Sequence, residues 1–240
     1  MLAILTTPSS AVLENLASQQ SISEKIAQQT PVMSWLLGRI KIRESPVTQN
    51  KQYAAEVLAI LLQSSVMNRK RLVEIDGVDA LLQLVSSYRK RDPSKGTEEE
   101  EFVENVFDCL TCVVNEAEGK HKFVEAEGVE LCLIMLREGK MSKPRALRLL
   151  DHAVGGSDGI EVCEKLVDAA GLKTVFSMFM KKVSKSVARP NLSDLLNSRT
   201  IKRLSICLEF SPRFCALCQP TPLGGLGHWQ NLLRKTTRSW

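Results

Sequence analysis

Internal repetition limits what this chain can fold into more tightly than any single motif. Val73–Val85 reads VEIDGVDALLQLV, Val124–Leu136 reads VEAEGVELCLIML and Val167–Phe179 reads VDAAGLKTVFSMF. Each copy is a β-branched residue, an acidic residue, two more residues, a glycine and then an apolar run. The glycines, Gly77, Gly128 and Gly171, lie 51 and 43 residues apart. A weaker copy upstream, Ile26–Ile40 (IAQQTPVMSWLLGRI), has Thr30-Pro31 in place of the glycine. A glycine here reads as the positive-φ residue that turns the chain from one helix into the next. Pro31 can do related work by opening the new helix.

The flanking helices are legible from period. After Gly77, residues Val78, Leu81, Leu82 and Val85 recur at i, i+3, i+4 and i+7, one stripe of a 3.6-residue repeat. Leu131, Leu133, Ile134 and Leu136 follow Gly128, and Leu172, Val175, Phe176, Phe179 and Met180 follow Gly171. A further helix precedes each corner: Ala54–Gln63, Phe102–Val114 and Arg145–Val154, with Ser10–Ser18 ahead of the weak copy. No stretch alternates with period two for long, so no strand is expected. One such unit cannot bury its own apolar faces, whereas stacked units share a continuous core. The expected fold is therefore all-α, an armadillo/HEAT-type right-handed α-solenoid of about four repeats with a poorly structured C-terminal tail.

Composition places the boundaries. Residues 189–240 hold eight Lys/Arg against two Asp/Glu, three of the seven cysteines and two of the three tryptophans, so this tail carries the chain's positive charge and the rest is close to neutral. The division expected is 1–10 as lead-in, 11–186 as the repeat region and 187–240 as an unlike, flexible tail. An amphipathic stretch at 191–210 is expected to cover the apolar face around Val175, Phe176 and Phe179. At 44% hydrophobic and 25% charged, the chain as a whole is too apolar for wholesale disorder. It has no apolar run long enough to span a bilayer, and Met1–Ser10 has no basic start of a secretory signal, so no membrane association is expected. An odd number of cysteines argues for a reducing compartment.

Candidate chemistry is sparse. Cys109 and Cys112 share a helix face and read as packing thiols. They lie about a hundred residues from Cys215 and Cys218, too far for a two-pair zinc site. Cys215 and Cys218, with His228 nearby, read as exposed thiols. Asp151, His152 and Ser157 are close in sequence, but a nucleophile must be held against its base by the fold, and His152 reads as a helix-end histidine. Gly155–Gly159 (GGSDG) has no following Lys-Ser/Thr and is no P-loop. Glu98–Glu101 reads as the solvated start of a helix. The basic clusters Arg69–Arg71, Arg89–Arg91 and Lys181–Lys185 lack interleaved aromatics, so direct nucleic-acid contact is not expected. No catalytic residue, metal or cofactor is expected.

The blocks YAAEVLAILLQ (Tyr53–Gln63), EIDGVDALLQ (Glu74–Gln83), VENVFDCL (Val103–Leu110), EGVELCLIMLRE (Glu127–Glu138), ALRLLDHAV (Ala146–Val154) and KLVDAAGLKTVFSMFMK (Lys165–Lys181) together resemble one family. It is the β-catenin-like family of nuclear armadillo-repeat proteins of the spliceosome-associated nineteen complex. The similarity runs in order from about Ala11 to Lys182. It implies a scaffold in pre-mRNA splicing, located in the nucleus, that binds basic localisation-type segments of a cell-division-cycle-5-like splicing factor and other spliceosome components. It implies no catalytic residues. The family's N-terminal localisation signal is expected to be absent from this chain. The chain is thus expected to be a central fragment, a shortened form, or a sequence that leaves the family's frame near Lys182. The competing readings are a helical-repeat RNA-binding protein and, third, an enzyme with a cysteine or zinc site.

The resemblance also suggests where a groove lies. In importin-like armadillo stacks, the third helix of each unit lines a concave surface and carries a tryptophan and an asparagine that hold an extended basic peptide. The asparagine places here are Asn15, Ile60, Cys112 and His152, and the tryptophan places are about Ala11, Glu56, Asp108 and Leu149. The tryptophan–asparagine ladder is thus mostly missing. A basic ligand could still be held by acidic side chains, with Glu56 and Asp108 well placed for it; the competing reading is that both are solvated helix positions. The candidate groove residues are Asn15, Glu56, Asp108 and His152, with charge supplying specificity and on-rate.

Overall fold

A computed structural model of the chain describes residue 12 and residues 14–138 and 141–175. The C-terminal tail, the Cys215/Cys218 pair, Lys181–Lys185, Phe176 and Phe179 lie outside the described residues. Helical residues 12 and 14–17 are followed by α1 (Gln20–Gln29), α2 (Val32–Lys41), α3 (Gln49–Ser64), α4 (Val66–Glu74), α5 (Gly77–Ser86), α6 (Glu98–Val113), α7 (Ala117–Glu125), α8 (Gly128–Glu138), α9 (Ser142–Ala153) and α10 (Ile160–Asp168). Helix resumes at 171–175. There is no strand among the described residues.

The helices group in threes, a short one, a second one and a long third one. Each second helix packs on the third of its own triplet: α2 on α3, α5 on α6, α8 on α9. The third helices stack from triplet to triplet, α3 on α6 and α6 on α9, and so do the first helices α1, α4, α7 and α10. The result is one contiguous apolar core running along the stack. Its largest wholly buried side chains include Phe102, Phe107, Phe123, Leu58, Leu61 and Leu62. The closest stacking is between α3 and α6, where Ala54 and Ala55 are fully buried and the Cys109 thiol sits 3.9 Å from the Ala55 carbonyl. Small residues let the two backbones approach.

The three corners are equivalent, but not for the reason the sequence suggests. The positive-φ residues are Asp76 (φ 53°), Glu127 (φ 56°) and Ala170 (φ 52°), each one place before the glycine. The glycines themselves are needed for space. A Cβ on Gly77 would stand 2.5 Å from Leu72 Cγ, one on Gly128 2.3 Å from the Phe123 ring, and one on Gly171 2.7 Å from Leu166 Cδ1. In each corner the obstructing side chain comes five residues earlier, from the last turn of the first helix. The reading of glycine as the positive-φ residue is corrected: the left-handed residue makes the bend, and the glycine lets the second helix start hard against the first.

Helix starts also differ from the periodicity. α3 begins at Gln49 rather than Ala54, and α6 at Glu98 rather than Phe102. The first turn of α6 is Glu98–Glu101, four carboxylates on the positive end of the helix dipole. Pro31 immediately precedes α2. Gly155–Gly159 is a link closed by a 3₁₀ turn at Ser157–Gly159.

Polar contacts register the triplets against one another. Asn68, fully buried, donates its amide to Ser23 Oγ at 2.8 Å and to the Leu61 carbonyl at 2.9 Å. Arg69 meets Glu116 at 2.8 Å, Lys70 meets Glu118 at 3.0 Å and Lys165 meets Glu130 at 2.7 Å. Arg71 pairs with Glu74, Lys90 with Glu138 and Arg91 with Glu99. Two of the three short basic clusters are therefore largely engaged in ion pairs.

Candidate functional site

Beyond their first turns, the third helices are largely buried apart from one line. On α3 that line is Gln49, Tyr53, Glu56, Ile60 and Gln63; on α6 it includes Glu101, Glu104, Asp108, Cys112 and Asn115; on α9 it includes Arg148 and His152. The steps of three and four residues keep these side chains on one helix face. Since the three helices stack, the lines form a continuous partly exposed strip across the molecule. Asn15, exposed on the helical residues ahead of α1, is in the matching place one unit earlier, and its carbonyl accepts a bond from Ser18 Oγ at 2.7 Å.

One assignment within the strip moves by a residue. Leu149 is wholly buried, and Arg148 takes the place beside His152. The sequence pattern could not separate the two, because Arg148 and Leu149 sit in a run where either phase fits a helix. The spacing of four that links Glu56 to Ile60 and Asp108 to Cys112 links Arg148 to His152, not Leu149 to His152. Burial decides between the two phases.

Arg148 changes the electrostatics. It is ion-paired with Asp108, and the largely buried Arg145 one turn earlier is paired with Glu104. Arg145 also donates to the Met141 carbonyl at 2.6 Å. His152 Nδ1 lies 3.0 Å from Asn115 Oδ1, and Asn115 donates to the Thr111 carbonyl at 3.1 Å. Asp108 and His152 are thus built into contacts between α6 and α9.

Glu56 stands differently. Its hydrogen-bond donor is the Gln52 amide, at 2.9 Å. Its pKa is raised above the ordinary carboxylate range, chiefly by partial burial, with the like charges of Glu14 and Glu101 pushing the same way against the Gln52 bond. Among the described residues, no lysine or arginine pairs with Glu14, Glu56 or Glu101. The strip therefore has an uncompensated acidic end around Glu14, Glu56 and Glu101, and a charge-balanced end around Asp108, Arg148 and His152. The structure adds Glu14, Glu101 and Arg148 to the residues singled out from the sequence. Glu101 was recoverable, since it precedes Asp108 by seven residues, two helical turns on the same face.

The other candidates resolve into packing. Cys109 is fully buried and burial pushes its thiol well up; Cys112 is half-buried on the strip, with its thiol also raised by burial. Both are held away from the thiolate that nucleophilic or ligand chemistry requires. Asp151 is buried while His152 is half-exposed, and Ser157 Oγ faces its neighbour Asp158 at 3.4 Å. Among the described residues, no cluster of three His, Cys, Asp or Glu side chains is placed to hold a metal ion, and no helix is long and apolar enough to cross a membrane.

Comparison with known proteins fits this geometry. Residues 6–209 match the model of a family described as catenin-beta-like, Arm-motif containing, nuclear. The match continues past Lys182 into the region of changed composition. β-Catenin-like protein 1 of Homo sapiens is 42% identical over 175 residues, 73% of this chain and 31% of that protein. The β-catenin-like protein 1 homologue of Schizosaccharomyces pombe is 40% identical over 172 residues, 71% of this chain and 30% of its own length. The chain thus spans about a third of the length of these curated relatives. Among solved structures, an engineered protein superposes with a TM-score of 0.66 at 17% identity, over 98% of this chain and 91% of that one. A designed armadillo repeat protein superposes with a TM-score of 0.62 at 13% identity, over 95% and 92%. The fold is that of an armadillo-type α-solenoid.

Proposed function

The chain belongs to the catenin-beta-like, Arm-motif containing nuclear family, and on that premise we propose that it is a protein-interaction scaffold that holds an extended basic segment along the strip of its third helices. The observation that carries this reading is the acidic end at Glu14, Glu56 and Glu101. The like charges of Glu14 and Glu101 stand close enough to add to the burial that raises the pKa of Glu56, and none of the three carboxylates has a lysine or arginine partner among the described residues. A lysine- or arginine-rich segment would supply the missing charge. Rim charges of this kind act mainly through orientation, specificity and encounter rate. In this reading Asn15, one unit earlier than Glu56, would meet the backbone of such a segment. Asp108 and His152, already bonded between α6 and α9, would shape the neutral end of the track rather than attract charge.

By its resemblance to that family, the proposed partners are basic localisation-type segments of a cell-division-cycle-5-like splicing factor and other spliceosome components, and the proposed setting is pre-mRNA splicing in the nucleus. The engagement of Arg69, Lys70, Arg71, Lys90 and Arg91 in ion pairs argues against a nucleic-acid-binding face. The test is a titration of the full chain with a fluorescent lysine/arginine-rich peptide at low and moderate salt. Glu56→Gln/Glu101→Gln should weaken binding about tenfold at low salt, a loss of one to two partly exposed charge pairs. Binding that is unchanged in the double variant would overturn the reading.

A further inference from the structure

A second site lies away from the strip. A cleft of 640 Å³ opens between the α2–α3 link, the end of α5 and the start of α6. It lies within the size range of small-ligand pockets. Four cations line it, Lys41, Arg43, Lys51 and Arg91, against two carboxylates, Glu44 and Glu99. Both carboxylates are already engaged. Glu44 takes Arg39 at 2.6 Å and the Thr48 hydroxyl at 2.7 Å. Glu99 takes the Tyr88 hydroxyl at 3.0 Å and pairs with Arg91. Lys41 and Arg43 are exposed at the rim, with no carboxylate partner among the described residues.

Lys51 is the unusual member. It is only 5% exposed, yet it is a lysine. Its ammonium donates to the Ile42 carbonyl at 2.7 Å and lies 4.8 Å from the centre of the Phe102 ring. An ammonium has three N–H donors, and the protein provides one oxygen acceptor for them. A buried charge with so few partners is costly unless an anion completes its shell.

We propose that this cleft binds a phosphate monoester, with the Lys51 ammonium at the floor and Lys41 and Arg43 closing on it from the rim. Three cations with no carboxylate at ion-pair distance among the described residues, in a cleft with four cations against two carboxylates, call for a group carrying close to two negative charges at neutral pH, which a phosphate monoester supplies and a single carboxylate does not. Ser45 adds a hydroxyl at the wall. The monoester can come from a free small molecule or from a phosphorylated side chain of a protein partner. The site stands independently of the acidic strip.

The experiment is isothermal titration of the full chain, at fixed ionic strength, with O-phosphoserine, with a short phosphoserine peptide, with its unphosphorylated form and with acetate. Both phosphate ligands should bind saturably, while acetate and the unphosphorylated peptide should give no saturable heat. Lys41→Gln/Arg43→Gln, on exposed side chains, should weaken phosphate binding at least tenfold and keep the native circular dichroism spectrum. Glu56→Gln should leave phosphate binding unchanged, which separates this site from the strip. A phosphopeptide that binds more tightly than O-phosphoserine identifies a protein source, and equal affinities identify a small molecule. Absence of saturable phosphate binding, or equal affinity in the rim double variant, would overturn the proposal.

Discussion

At Gly128 an added methyl group would stand 2.3 Å from the Phe123 ring and 2.8 Å from the Phe123 carbonyl, with no room for either to retreat into the core. Gly128→Ala should therefore destabilise the chain by about 1–3 kcal/mol, the range for overpacking a filled interior. The neighbouring position behaves in the opposite way at the third corner. Ala170 holds φ 52°, where a Cβ is strained and a glycine is not. Ala170→Gly should stabilise by up to about 1 kcal/mol, the relief of strain being partly offset by glycine's greater freedom when unfolded. Denaturant unfolding of both variants checks the pair, and the same sign for both would contradict the corner geometry. Glu56 supplies a second residue-scale test. Its folded-state pKa is raised, so its ionised form opposes folding, and that cost sets in as pH rises through the carboxylate range. Glu56→Gln should stabilise the chain at neutral pH by less than about 1 kcal/mol given its exposure, read as a higher melting temperature. The difference should vanish below the unfolded carboxyl pKa. A variant that is more stable yet binds a basic peptide more weakly separates a functional carboxylate from a structural one.

Among the elements, the contact between α6 and α9 sets how much of the strip is negative. Arg148 holds Asp108 and Arg145 holds Glu104, so the acidic character of α6 survives mainly in its first turn. Arg148→Gln should release Asp108 and tighten binding of a basic peptide about two- to fivefold at low salt, the effect of one partly exposed charge. Unchanged or weaker binding, read by fluorescence anisotropy, would show that Asp108 does not face the ligand. This pair also marks where sequence reading stops. The helices after Gly77 and Gly128 were legible, because Val78, Leu81, Leu82 and Val85 repeat with the helical period and are buried as that period requires. The positive φ at Asp76 and Glu127 was not, because local propensity assigns it to the adjacent glycine, and only the Leu72 and Phe123 side chains packed against those glycines reveal their true role. Arg148 was missed for a related reason. A one-residue shift of phase costs nothing in the sequence and is fixed only when Leu149 turns into the core.

At the scale of the whole molecule, the stack of triplets turns a modest set of side chains into one long surface. No triplet contains a site by itself. Glu14, Glu56 and Glu101 come from three successive units and meet only because the units stack, and Asn68 and Arg69 fasten the unit of Glu101 to that of Glu56 through buried and half-buried polar contacts. Residues 6–209 match the Arm-motif containing nuclear family, and the stack superposes on armadillo-type structures. The surface, rather than a pocket of reactive groups, is what the described part of the chain presents along its third helices. The most direct test is photo-crosslinking of a lysine/arginine-rich peptide to the full chain, with the attachment sites mapped by mass spectrometry. The account predicts crosslinks confined to the acidic end of the strip, at Glu14 and Asn15 and along the exposed line of α3 and α6, at Gln49–Gln63 and Glu98–Cys112, lost on adding salt or in Glu56→Gln/Glu101→Gln. Crosslinks concentrated on α5, α8 or the glycine corners, or spread without preference over the surface, would contradict it.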